Sequence, residues 1–156
     1  MSAKDRDRPN ACPDACPDAP HVQLEVHLGY RRSHGELTPY FHALVAGRAL
    51  ATRCARCTHT WFPPRVRCCG GDRPAWVELD GAGIIESVTS GTRAVPFSES
   101  TGPGRLAMVR MDGADNRALG WLEGFDEEPP LGTRVRIAVT DEPWTHPAQA
   151  VRFVAE

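Results

Sequence analysis

RCARCTHTWFPPRVRCCGG (residues 53–71) places two cysteine pairs on either side of a short aromatic and proline turn, the pattern of a small zinc ribbon. Cys54 and Cys57 have the two-residue spacing with which a tight backbone knuckle aims both sulfurs at one metal. Cys68 and Cys69 follow after ten intervening residues to close a tetrahedral site. The second pair is irregular, because its cysteines are adjacent where a regular ribbon repeats Cys-x-x-Cys. One of the two can reach the metal without strain, and His59 or Asp72 is then at hand to complete the set. The competing reading is a metal-free knuckle. A catalytic zinc is not expected, since an open site keeps three protein ligands and a water, and no His-x-x-x-His or comparable arrangement occurs.

Outside the ribbon, 156 residues with 41% hydrophobic content allow one ordinary domain or two small ones around one modest core. No run approaches the roughly 18 apolar residues that would span a bilayer. The N-terminal MSAKDRDRPN is charged where an export signal needs an apolar segment. A soluble, cytoplasmic protein is expected, with its six cysteines reduced rather than paired.

The net charge of −2 conceals an asymmetry. Residues 31–73 carry eight arginines against Glu36 and Asp72, whereas residues 75–156 carry thirteen acidic and seven basic side chains. The ribbon half is basic and the rest acidic. Every basic residue but Lys4 is arginine, which suits bidentate contacts to phosphate or carboxylate and equally reflects a GC-rich genome.

Along the chain, residues 1–20 contain the direct repeat ACPDACPDAP and no periodicity that buries a face, so a disordered tail is expected, with Cys12 and Cys16 as exposed thiols. Residues 21–73 form a leader, a helix and the ribbon. Thr38-Pro39 reads as a helix start, Tyr40, Phe41, Leu44 and Val45 as its apolar stripe, and Gly47 as its stop. From residue 74 to 156 the pattern becomes strands separated by glycine: WVELDG, GIIESVTSG, RLAMVRMDG, NRALGWLEG, TRVRIAVT and QAVRFVA. Ala107, Val109 and Met111 alternate with Leu106, Met108 and Arg110, while Val135, Ile137 and Val139 make one apolar face. About five short strands in this length match a small closed OB barrel. The expected fold is therefore mainly β, with an N-terminal helix and a rubredoxin-like zinc ribbon followed by a five-stranded OB-fold barrel.

The segments TPYFHALVAGRALATRCARC, WFPPR, WVELDGAGIIESVT and GADNRALGWLEGFDEEPPLGTRVRI, in this order, resemble the zinc-ribbon plus OB-fold proteins associated with acyl-CoA metabolism, a domain-of-unknown-function family. The resemblance covers residues 30–153, and LGYRRSHGELTPYF is similar to the leader of members that pair with thiolase-like subunits. It implies an accessory, non-catalytic subunit of a thiolase-like complex (ketothiolase, acyltransferase or aldolase) that helps bind the coenzyme A thioester and stabilises the catalytic subunit. The adjacent Cys68-Cys69 departs from the family Cys-x-x-Cys by two residues. The four cysteines Cys54, Cys57, Cys68 and Cys69 are the candidate metal ligands, and zinc the candidate ion.

The residue types agree with that implication. A coenzyme A binder needs arginines near a groove with an apolar wall. The loop GTRAVPFSESTGPGR supplies Arg93, Phe97 and Arg105 between the first two barrel strands, where OB folds often put ligand contacts. These three are the candidate coenzyme A or partner contacts, with a solvated charge or a barrel plug as the plain alternative. Val95, Phe97 and Trp144 are the candidate docking patch. No nucleophile elbow, phosphate-binding loop or dinucleotide fingerprint is present, and any activity is expected to belong to a complex with a thiolase-like partner. A zinc ribbon joined to an OB barrel also suits single-stranded nucleic acid, but the acidic barrel and its few strand aromatics, Trp121 and Phe153, argue against it.

Overall fold

Helix α1 (Thr38–Val45) begins where Pro39 fixes a helical φ in the first turn, directly after a 3-10 turn at Gly35–Leu37. Thr38 does not act as the cap that its type suggests, since its hydroxyl donates back to the Gly35 carbonyl at 2.7 Å. The helix stops at Gly47, whose φ of +66° only glycine takes cheaply. The Gly47 N–H reaches Leu44 O at 2.9 Å and the Arg48 N–H reaches Ala43 O at 2.8 Å, the two bonds of a Schellman motif. Tyr40, Phe41, Ala43 and Leu44 are buried; Val45, expected on that stripe, lies half exposed at the helix end.

These elements belong to a computed structural model that describes residues 25, 26, 29, 31–94, 101–139 and 150–156. The chain divides into two units, Met1–Arg32 and Ser33–Glu156, and the described residues of the first form no helix or strand. The tail expected over residues 1–20 lies outside the described residues, as do Val95, Phe97 and Trp144. No described helix is long and apolar enough to cross a membrane.

In the second unit, β1 (Ala49–Arg53) is the centre of a three-stranded sheet, flanked by β2 (Thr60–Trp61) and β3 (Ala75–Leu79), both antiparallel to it. Strand alternation alone puts WVEL at the start of the barrel, but β3 instead pairs with β1 over its whole length, from Ala49↔Leu79 to Arg53↔Ala75. The barrel proper comprises β4 (Ala82–Ala94), β5 (Thr101–Met111), β6 (Ala118–Leu122), β7 (Arg134–Ile137) and β8 (Arg152–Ala155). It closes in the order β4-β5-β6-β8-β7, with β6 and β8 parallel and every other pair antiparallel. This is the five-stranded Greek-key closure of an OB fold. A bulge between Ile85 and Ser87 bends β4, whose first residues pair with both β5 and β7 while the rest pair with β5.

The alternation predicted for β5 holds, with Ala107, Val109 and Met111 buried and Arg110 outside. Val135 and Ile137 are buried as well. Val139 is 67% exposed because β7 ends at Ile137 and its register no longer governs the side chain. One apolar core runs through the unit, from Tyr40, Leu44, Ala51 and Phe62 to Val109, Val135 and Phe153.

Two side chains of the β5–β6 connection join ribbon to barrel. Asp115 accepts the Thr60 N–H at 2.7 Å while its own N–H reaches Thr60 O at 2.9 Å. Asn116 accepts the Phe62 N–H at 2.8 Å and donates to Phe62 O at 2.9 Å. The free backbone edge of β2 is thus read as if by another strand, and Phe62, fully buried, is driven into the core.

Replacing Asn116 with alanine leaves the Phe62 N–H and C=O of a buried residue without partners, and is expected to destabilise the chain by about 2 kcal/mol in chemical denaturation. A pair of glycines gives a second measurable contrast. At Gly120 a methyl group would stand 2.5 Å from the Phe153 ring, so Gly120→Ala should cost about 1–3 kcal/mol. At Gly91 nothing lies within 4 Å, and Gly91→Ala should change stability by no more than about 0.5 kcal/mol.

Candidate metal centre and the extended hairpin

Cys54 leaves the end of β1 buried, and the chain turns back at once: the Thr58 N–H bonds Cys54 O at 2.9 Å, and the Cys54 N–H bonds His59 O at 3.0 Å. This knuckle carries Cys57 round to the same side as Cys54. The second pair solves a harder problem, because adjacent residues of an extended chain point to opposite sides. Cys68 is extended (φ −144°, ψ 168°), but Cys69 adopts φ +33° and is followed by Gly70 and Gly71, both also at positive φ. The resulting turn, closed by Gly71 N–H to Cys68 O at 3.0 Å and Cys68 N–H to Asp72 O at 2.9 Å, swings both sulfurs inward.

All four sulfurs of Cys54, Cys57, Cys68 and Cys69 lie within 4.8 Å of one another. Cys57 and Cys68 are 3.6 Å apart and Cys68 and Cys69 3.7 Å, too far for a disulfide. A tetrahedral ion with metal–sulfur bonds of about 2.3 Å holds its ligands about 3.8 Å apart. The cluster can therefore hold a metal ion, and four thiolates are the donor set of a structural zinc. His59 and Asp72 are not in the cluster. The His59 ring stacks on Trp61 at 4.0 Å, and Asp72 faces Arg56 at 3.7 Å.

The electrostatics point the same way. The Cys57 backbone N–H holds the Cys54 thiol down to about 7. Burial pushes Cys68 up, and the Cys57 side chain, foremost among its neighbours, pushes Cys69 up to about 12. Crowded sulfurs oppose one another's ionisation, and a divalent cation among them reverses that balance.

The β4–β5 hairpin is the second feature. β4 pairs with β7 only over Ala82–Ile84, and β5 pairs with β6 only over Arg105–Val109. Beyond those registers, from Gly91↔Gly104 to Ala94↔Thr101, the two strands pair only with each other among the described residues and continue past the barrel registers as a two-stranded ribbon. Arg93 lies on this extension opposite Gly102. Phe97 lies outside the described residues. Arg105 stands at the base, and its guanidinium donates to Phe125 O at 2.7 Å and Asp126 O at 2.8 Å. The structure thus commits two of its donors to the segment after β6. The task of Asp115 and Asn116 was not legible in the sequence; a short polar side chain after a glycine in a strand connection is the available signal for a backbone-reading contact.

The adjacent pair offers a direct test. Cys69→Ser is expected to weaken metal retention, measured by elemental analysis of the dialysed chain, at least about tenfold, whereas His59→Ala leaves it unchanged. The reverse result would return His59 to the ligand set.

Comparison with known proteins adds the following. Residues 76–141 match the family model described as the C-terminal OB-fold domain of ChsH2. Among solved structures, a chain of the Ltp2–ChsH2 (DUF35) aldolase is similar at 22% identity and a TM-score of 0.56, the match covering 81% of this chain and 98% of that one. A DUF35 family protein of unknown function from Sulfolobus solfataricus is similar at 16% identity and a TM-score of 0.52, covering 76% and 83%. Curated protein sequences give no match. At these identities the solved structures speak for the fold, and the fold includes helix, ribbon and barrel together. Residues 76–141 are thus similar to the C-terminal OB-fold domain of ChsH2, and the ribbon-and-barrel fold is similar to that of the two DUF35 structures.

Proposed function

We propose that this chain is an accessory subunit of a thiolase-like acyl-CoA complex, in which the partner supplies the nucleophilic cysteine or general base. The observation that carries this reading is the match to a chain of the Ltp2–ChsH2 (DUF35) aldolase across 98% of that chain's length. The projecting β4–β5 hairpin supports it. An isolated two-stranded ribbon is marginal in water, and one that extends past its barrel gains stability by lying against another surface.

In this reading the chain docks beside the partner's active-site entrance and helps hold the thioester so that the acyl group meets the catalytic residues in a reactive orientation. Arg93 and Phe97 are the contacts to the thioester or to the partner. Arg105 fixes the segment of Phe125 and Asp126 against the hairpin base, so the edge presented to partner and substrate has one shape. Zinc is the ion held by Cys54, Cys57, Cys68 and Cys69. Its work is structural: it ties the end of β1 to the turn at Cys69–Gly71. The cytoplasm is the compartment in which these thiolates stay reduced.

Affinity capture of the tagged chain from its native cells, with mass spectrometry of what stays bound at moderate salt, is expected to return a thiolase-like protein in stoichiometric amount. Recovery of nucleic acid and its binding proteins alone would overturn the reading. With the complex in hand, Arg93→Ala should lower turnover of the coenzyme A thioester about tenfold while the subunits stay together. Unchanged turnover would leave the chain a scaffold that touches no substrate.

A further inference from the structure

The basic half of the chain folds into a cleft that the accessory-subunit reading does not use. It has a volume of about 210 Å³ and lies on the ribbon, lined by Glu36, Thr52, Arg65, Arg67, Arg73 and Trp76 among others. Its floor follows from strand register. Thr52 on β1 is opposite Trp61 on β2 and Trp76 on β3, so the three side chains share one face of the sheet. Arg65 lies across this row with its guanidinium 3.7 Å from the Trp61 ring centre. The Thr52 hydroxyl pins Arg65 in place, accepting its N–H at 3.0 Å and donating to its C=O at 3.1 Å. Trp61 is thereby covered, while Trp76 keeps 41% of its surface open beside the arginines.

Charge in the cleft is unbalanced, with three arginines to one carboxylate. Glu36 bridges two of the arginines, its carboxylate 2.7 Å from Arg73 and 3.4 Å from Arg67. Among the described residues no carboxylate lies within ion-pair distance of Arg65. A carboxylate with one oxygen on each of two guanidinium groups occupies the place an oxyanion would take. Nothing holds it there firmly. Glu36 sits on a three-residue turn with no buried residue, and all three partners are between 45% and 71% exposed, a setting in which ion pairs contribute about 0–1 kcal/mol.

We propose that this cleft binds the phosphate end of a nucleoside phosphate, the phosphate displacing Glu36 from Arg67 and Arg73 and the base lying on Trp76. A phosphate brings more charge and more acceptor oxygens than the carboxylate it replaces, and Arg65, already held in place on Trp61, adds a third guanidinium. The open indole distinguishes the ligand from a bare anion, because a flat ring gains a stacking face. The volume is below the roughly 300 Å³ at which ligand pockets usually begin, so it admits one phosphorylated end rather than a whole cofactor. A nucleic-acid strand is disfavoured because it needs successive stacking faces, and Trp61 is already capped by Arg65. The site lies on the ribbon and does not depend on the docking reading, so a failed capture of a thiolase-like partner leaves it standing.

The test is calorimetric titration of the full metal-retaining chain with AMP, adenosine and inorganic phosphate at low salt. AMP is expected to bind more tightly than either part. Glu36→Gln should tighten AMP binding about threefold or more by removing the competing charge, and the double variant Arg67→Gln, Arg73→Gln should weaken it about tenfold. Trp76→Ala should weaken AMP but leave inorganic phosphate unchanged. Failure of AMP to bind, or AMP binding indifferent to Glu36→Gln, would overturn the proposal; Glu36 is an exposed surface residue, so this arm does not turn on whether the arginine variants fold. A short oligodeoxythymidylate that binds through Trp76 with affinity rising with its length would overturn it in favour of a strand-binding surface.

Discussion

The amide of Asn116 and the carboxylate of Asp115, set against the backbone of Thr60 and Phe62, hold this molecule together. A ribbon of this size has too little apolar surface to fold firmly alone. Here it is tied to the barrel by hydrogen bonds that pair a strand edge which would otherwise be left unpartnered beside the core. The bonds place Phe62 where the apolar contacts of α1 and of the barrel meet, and the core becomes continuous from Tyr40 to Phe153. Everything positioned by β1 inherits that rigidity, including the buried Cys54 at one end of the metal cluster and Thr52 in the arginine cleft.

Charge is distributed so that the acidic barrel pairs four of its arginines internally, while the ribbon keeps an arginine surplus. At the bulge in β4, Glu86 takes both Arg117 and Arg110, and the Arg117 hydrogen bond is the main force holding its carboxyl below the usual range. Arg134 spans Asp112 and Glu156, which raise it further above its ordinary value. The nearly buried Arg152 is met by Glu123 at 2.8 Å. These pairs link segments that are distant in sequence, and they commit Arg110, Arg117, Arg134 and Arg152 to acids of the barrel. On the ribbon, Glu78 takes Arg48, but Glu36 and Asp72 face too many of the remaining arginines to do the same. The surplus positive charge is consequently local, and it lies where the sheet also exposes an indole.

Much of the fold was legible because its causes are local. Alternation marked several barrel strands, most clearly β5 and β7 with one buried and one solvated face each, and Gly47 marked the end of α1 because its backbone conformation disfavours a side chain. The metal cluster was legible in part. Cys54-x-x-Cys57 is a self-contained knuckle, but whether Cys68 and Cys69 could both face one ion depended on a left-handed turn at Cys69 that spacing alone does not reveal. Val45 and Val139 read as core residues by periodicity and are exposed because each stands at or just past the end of its element. Arg105 illustrates the same limit: its type suggested an anion contact, while the carbonyls of Phe125 and Asp126 come within reach only after the barrel closes.

By itself the sequence determined the elements and their faces, the cysteine donor set, and the excess of arginine in the ribbon half. Those follow from spacing and residue chemistry along a short stretch of chain. Only the tertiary structure decided that β3 joins the ribbon sheet, that β8 lies parallel to β6, that Asp115 and Asn116 clamp β2, and that Arg65, Arg67, Arg73 and Trp76 gather around Glu36. Strand partners and shared clefts are set by which free edges and apolar faces remain when the whole chain closes on one core, and residues far apart in sequence carry no local signal of that choice.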